Sequence, residues 1–98
     1  MKHLTHWIGG KPWTGGEASQ RGEIYNPATG QVSGTVDYAG TAEVAAAVQA
    51  AAAAFSGWSQ TSLVKRASVL FAFRELVRQH QGELAALICA EHGKVASD

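Results

Sequence analysis

Ninety-eight residues fall within the size of one domain and can bury a core. Eight basic and eight acidic side chains cancel and are spread without blocks, so the basic patch of a nucleic-acid binder is absent. A single cysteine excludes an internal disulfide, the amino terminus lacks the apolar core of a secretory signal, and no run approaches the ~18 apolar residues of a membrane span. The expectation is a cytoplasmic α/β or α+β segment that engages neither nucleic acid nor membrane.

Residues 6–37 are predicted to form hairpins. Trp7 and Ile8 lead into Gly9-Gly10, and paired glycines supply the positive φ that a two-residue hairpin turn requires. Pro12 cannot donate to a ladder, which puts the returning strand at an edge. The next segment, 14–22, is polar and contains glycine, so it is expected to be a loop. Glu23, Ile24 and Tyr25 make a short strand that ends in Asn26-Pro27-Ala28-Thr29-Gly30, where proline sets φ, asparagine bonds forward and glycine closes the turn. Residues 31–37 alternate, with Val32, Gly34 and Val36 on one side and Ser33, Thr35 and Asp37 on the other. This third of the chain is expected to be antiparallel, with His3 and His6 on a frayed terminus.

Helices follow, over about 41–56, 61–80 and 82–92. The first takes Thr41 as its N-cap, has Glu43 in the first turn, and carries Val44, Val48, Ala51, Ala52 and Phe55 on one stripe. Gly57 is the expected stop, with Trp58 folding back as an anchor. Thr61 is the expected cap of the second helix. At about 100° per residue its apolar side chains (among them Leu63, Leu70, Phe71, Phe73 and Val77) cover roughly two-thirds of the wheel, against a stripe a little over ~100° on an ordinary surface helix. Such a helix is built to be covered on more than one side. Arg66 and Arg74 fall inside the apolar arc and call for carboxylates or carbonyls from elsewhere. The third helix presents Leu84, Leu87 and Ile88 and ends near Gly93.

Chemistry is scarce in this stretch. Cys89 lies well inside a predicted helix, so it is expected to be half-buried and structural rather than a nucleophile. The four histidines, His3, His6, His80 and His92, show no zinc spacing. Gly93-Lys94 lacks the upstream glycine of a phosphate loop, and Gly9-Gly10-Lys11 runs into Pro12. No catalytic, cofactor-binding or metal-binding residue is assigned within the chain.

The order of the features carries more than any one of them. Trp7-Ile8-Gly9-Gly10-Lys11-Pro12-Trp13, then Asn26-Pro27-Ala28-Thr29-Gly30, then Ala54-Phe55 with Trp58, Arg66, and finally Glu91-His92-Gly93-Lys94 occur in sequence. Together they resemble the amino-terminal fifth of the NAD(P)-dependent aldehyde dehydrogenase superfamily across essentially the whole chain. The Glu91-His92-Gly93-Lys94 run, with Leu84-Ala85-Ala86-Leu87-Ile88 before it, is most similar to the CoA-acylating methylmalonate-semialdehyde dehydrogenases. The resemblance implies an incomplete part of a Rossmann-like cofactor-binding domain, N-terminal hairpins followed by three helices. It implies an NAD-dependent enzyme that oxidises methylmalonate or malonate semialdehyde through a cysteine thioester released to CoA, as a dimer or tetramer. It places the nucleophile and the dinucleotide-binding segment beyond residue 98, so the chain alone is expected to be inactive and to partner the remainder of its own polypeptide. In some members a monovalent cation is held by carbonyls and an acid at the positions of Ile24, Tyr25 and Glu91; a helix-end role for Glu91 is the competing expectation. Two other functions compete: a self-contained helical interaction module displaying Phe71 and Phe73, and a hydrolytic aldehyde dehydrogenase.

Overall fold

A computed structural model describes residues 1–98. Its elements run β1 (Lys2–Leu4), β2 (Trp7–Ile8), β3 (Lys11–Pro12), β4 (Arg21–Tyr25), β5 (Val32–Asp37), α1 (Thr41–Gln60), α2 (Leu63–Gln79) and α3 (Gln81–His92). They fall into two compact units, Met1–Tyr25 with Val32–Ser59, and Asn26–Gln31 with Gln60–Asp98.

In the first unit β5 is the centre of a three-stranded sheet of order β1-β5-β4, and β2 and β3 form a separate hairpin. The hairpin follows the sequence reading. Gly9 and Gly10 take φ of 65° and 78°, and Ile8 pairs with Lys11 across them. Pro12 faces Trp7, and the next ladder bond runs from the Trp13 N–H to the His6 carbonyl at 2.9 Å. Proline thus occupies the position in the ladder from which no hydrogen bond is demanded.

β4 and β5 pair antiparallel from Arg21↔Asp37 to Ile24↔Gly34, and there the register shifts so that Tyr25 faces Val32. Ser33 is the extra residue of this bulge, and its hydroxyl donates to the Ile24 carbonyl at 3.2 Å. β1 corrects two expectations. The amino terminus is not frayed, because Lys2, His3 and Leu4 pair with Gly34, Thr35 and Val36; nor is the sheet wholly antiparallel, since that pairing is parallel. The physical reason for the miss is length: three residues carry no periodicity, and their partner lies some thirty positions away. Gly34 lets β1 approach, as a Cβ there would sit 2.6 Å from the Lys2 carbonyl oxygen.

α1 also departs from expectation. Gly40, not Thr41, is its N-cap: Glu43 reaches back to the Gly40 N–H at 2.8 Å, and Val44 donates to the Gly40 carbonyl. The helix runs through Gly57 and Trp58 to Gln60. One glycine costs a helix about 1 kcal/mol relative to alanine, which the preceding alanine run outweighs, so the chain turns only where the next cap begins.

The second unit holds the 26–31 turn, α2, α3 and the tail. Asn26 Oδ1 accepts from Ala28 N–H at 2.8 Å, Gly30 N–H donates to the Asn26 carbonyl at 2.8 Å, and Gly30 adopts φ 74°. Ser62, not Thr61, caps α2 by accepting from Lys65 N–H at 3.3 Å. α2 and α3 follow each other across a single residue, His80, whose carbonyl already accepts from Leu84. α3 ends on Gly93 in the left-handed region, against Pro27 of the turn: a Cβ added at Gly93 would lie 3.4 Å from that ring.

No large apolar side chain of the chain is fully buried. Along α2, Leu63, Val64, Leu70, Phe71, Phe73 and Leu76 are all more than half exposed. Arg66 is half-buried, with its Nε closed off from solvent and unbonded, and Arg74 is exposed.

Candidate functional site

A cluster of charged residues held in a fixed geometry lies on one face of the three-stranded sheet. Pairing sets that face: His3 beside Thr35 beside Glu23, and Asp37 beside Arg21. Arg21 Nε donates to Asp37 Oδ1 at 2.8 Å, and His3 Nε2 lies 3.2 Å from the same oxygen. His3 Nδ1 lies 2.8 Å from Thr35 Oγ1. The Asp37 side chain is only 8% exposed beneath these partners. Burial pushes its carboxyl up, yet the Arg21 hydrogen bond, the His3 and Arg21 charges and a hydrogen bond from Thr5 outweigh it and hold Asp37 below the ordinary carboxylate value. At the other end of β4, Tyr25 donates its hydroxyl proton to Glu23 at 2.6 Å, and that bond, with the Glu23 charge, raises the phenol.

These contacts orient and neutralise charge, and the His3 ring bridges the Thr35 hydroxyl and the Asp37 carboxylate. No three His, Cys, Asp or Glu side chains converge as a metal site would require. Of the three positions the resemblance offered for a cation, Ile24 and Tyr25 belong to the first unit and Glu91 to the second. The Ile24 carbonyl already accepts from Ser33, Tyr25 belongs to the same strand end, and Glu91 is exposed in the last turn of α3 in the other unit. Cys89 is free and half-buried inside α3, with Ala85, Ile88, Lys94 and Val95 about a cavity of 70 Å³.

The His3–Asp37–Arg21 group escaped the sequence reading, because a bulge that the sequence does not announce sets its register. The 26–30 turn places Tyr25 opposite Val32, from which regular pairing would put Arg21 opposite Val36; the bulge at Ser33 shifts the register by one and brings Arg21 opposite Asp37.

Residues 13–98 match the aldehyde dehydrogenase family. The chain belongs to that family. Among curated aldehyde dehydrogenases, it is 40% identical over all 98 residues to the malonate-semialdehyde dehydrogenase of Listeria innocua, and covers 20% of that protein. It is 42% identical over 94 residues to the malonate-semialdehyde dehydrogenase of Bacillus pumilus, covering 96% of this chain and 19% of the relative. In structure it superposes, over its whole length, on 20% of a protein from Sinorhizobium meliloti 1021 assigned as a methylmalonate-semialdehyde dehydrogenase and crystallised with NAD; the TM-score is 0.93 and the identity 42%. The chain thus spans about a fifth of the length of the aldehyde dehydrogenases it matches. Within the family its α/β fold, strands followed by three helices, corresponds to the amino-terminal part.

Proposed function

We propose that this chain is the amino-terminal part of an NAD-dependent dehydrogenase that oxidises malonate or methylmalonate semialdehyde and releases an acyl-CoA. The observation that carries the reading is the superposition over the whole chain, at 42% identity, on a semialdehyde dehydrogenase crystallised with NAD. Relatives of this specificity at 40–42% identity support the substrate class. CoA as acceptor is supported by the Glu91-His92-Gly93-Lys94 run and its likeness to the acylating subfamily. In the proposed reaction the aldehyde hydrogen leaves as hydride to NAD, and the acyl group, carried as a cysteine thioester, passes to the CoA thiol with loss of one proton.

We assign no dinucleotide-binding role to the residues of this chain. Glu43 and Ser62 each engage one N–H at the starts of α1 and α2, as capping side chains do. No step of the hydride transfer is therefore assigned to these side chains. Their part is to form the hairpins and outer helices of the cofactor-binding domain. The exposed faces of α2 and α3 are surfaces for the remainder of the polypeptide and for a second subunit of a homo-oligomer.

The test is made on the full-length protein with malonate semialdehyde and NAD, with and without CoA, following NADH and identifying the product by mass. Acyl-CoA formed in step with NADH is the expected result. A free acid formed at the same rate without CoA would make the enzyme hydrolytic, and no NADH with either semialdehyde would overturn the substrate class.

A further inference from the structure

We propose that the cleft between the β2–β3 hairpin and α1 is the seat of an apolar segment from the polypeptide beyond residue 98. Hairpin and helix belong to one compact unit, yet a gap separates them on either side of Trp7 and Ile8. One side, of 550 Å³, runs past Gly9, Gly10, Ala50 and Ala54; the other, of 370 Å³, runs past Val44 and Val48. Ala47 is common to both. A Cβ added at Gly9 or Gly10 would meet nothing within 4 Å, so the space over the turn is open. Around the cleft the large side chains stay in water: Trp7, Val44 and Val48 are 71%, 54% and 62% exposed. Apolar exposure gathered along one cleft marks an interaction surface, unlike the single apolar residues scattered over any protein.

The chemistry of the lining and the size of the bare surface choose the occupant. A small-molecule site fixes its ligand with a few convergent polar groups. The larger side of the cleft has no ionisable side chain, and on the smaller side Glu43 already accepts from the Gly40 N–H. Such walls suit the apolar side chains of a protein segment. A second copy of the chain falls short on area. The surface exposed beyond that of a compact monomer of this mass is roughly 2,500 Å². One partner in a standard interface buries ~800 Å², so a subunit contact would leave most of that excess bare. The chain covers only 20% of the length of its relatives, and four-fifths of such a protein is therefore tethered beside the cleft. A tethered segment binds as an intramolecular partner, at an effective concentration no free partner matches without far higher affinity. This role follows from the proposed place of the chain at the start of a longer dehydrogenase, and is independent of the semialdehyde and of CoA.

The experiment is photo-crosslinking of the full-length protein with a benzophenone amino acid in place of Trp7, an exchange of one large aromatic for another, and in a second variant in place of Val48. Irradiation should give adducts that run as a single chain on a denaturing gel, with the benzophenone joined to a residue beyond 98 in the peptide map. Adducts that run as a crosslinked dimer would assign the cleft to a second copy and overturn the proposal. Adducts confined to residues 1–98, or none, would overturn it as well. Should both variants fail to fold, the wild-type protein decides by oxidative labelling of Trp7 read by mass spectrometry. A several-fold loss of labelling relative to the unfolded protein is expected, and equal labelling refutes the seat. NADH formation is scored separately on the same preparation, so a wrong substrate class and an empty cleft give different results.

Discussion

Separating these 98 residues from the rest of the protein should leave α2 without the cover its sequence demands. The chain exposes 7866 Å², whereas a compact monomer of its 10.3 kDa mass would expose about 5,400 Å². The difference, roughly 2,500 Å², exceeds the ~800 Å² that one partner buries in a standard interface. Much of it is apolar: Leu63, Val64, Phe71 and Phe73 are 75%, 77%, 70% and 63% exposed. Complete burial of such a side chain stabilises by ~1.5–3 kcal/mol, so these four forgo about 4–8 kcal/mol together. That is most of the ~5–15 kcal/mol stability of a typical domain. Hydrogen exchange of the isolated chain and of the full-length protein, alongside sedimentation, measures the effect. Amides from Leu63 to Val77 should exchange rapidly, or be protected only in self-associated species, in the isolated chain, and be strongly protected in the full-length protein. A dilute monomer with strongly protected α2 amides would refute the reasoning and favour an independent helical module.

Three substitutions test the local accounts. Gly34→Ala drives a Cβ to 2.6 Å from the Lys2 carbonyl and should destabilise the full-length protein by about 1–3 kcal/mol in denaturant unfolding, with β1 losing protection first. Gly57→Ala meets nothing within 4 Å in mid-helix and should raise the helicity of an α1 peptide, measured by circular dichroism, by the equivalent of about 0.5–1 kcal/mol. Cys89→Ser should cost on the order of 1 kcal/mol or less of stability in the full-length enzyme and leave the chemical step unchanged in single-turnover kinetics.

The readable parts of the fold were those with a local cause. Gly9-Gly10 could only turn, Asn26-Pro27-Ala28-Thr29-Gly30 joined a forward-bonding asparagine to a closing glycine, and Gly93 ended α3 in the left-handed region. What depended on distant pairing was hidden. β1 is a strand because Gly34 admits it, and nothing within Lys2, His3 and Leu4 announces that. Caps slipped by one residue, to Gly40 and Ser62, because neighbouring Gly-Thr and Thr-Ser pairs offer two plausible starts and only the hydrogen bonds choose. Gly57 misled in the opposite sense: its local penalty is real, but it is small beside the helical tendency of its neighbours. The family was legible through the order of motifs along the chain rather than through a site, since Trp7 to Trp13, Asn26 to Gly30 and Glu91 to Lys94 carry it in sequence.

The proposed function makes this segment part of an NAD-linked semialdehyde dehydrogenase whose chemistry is carried by the remainder of the polypeptide. The most direct measurement is NADH formation from malonate semialdehyde, NAD and CoA by the isolated 98-residue chain and by the full-length protein, assayed together. The account predicts turnover by the full-length protein and a rate equal to the blank for the chain alone. Turnover by the isolated chain, or none by the folded full-length protein, would contradict it.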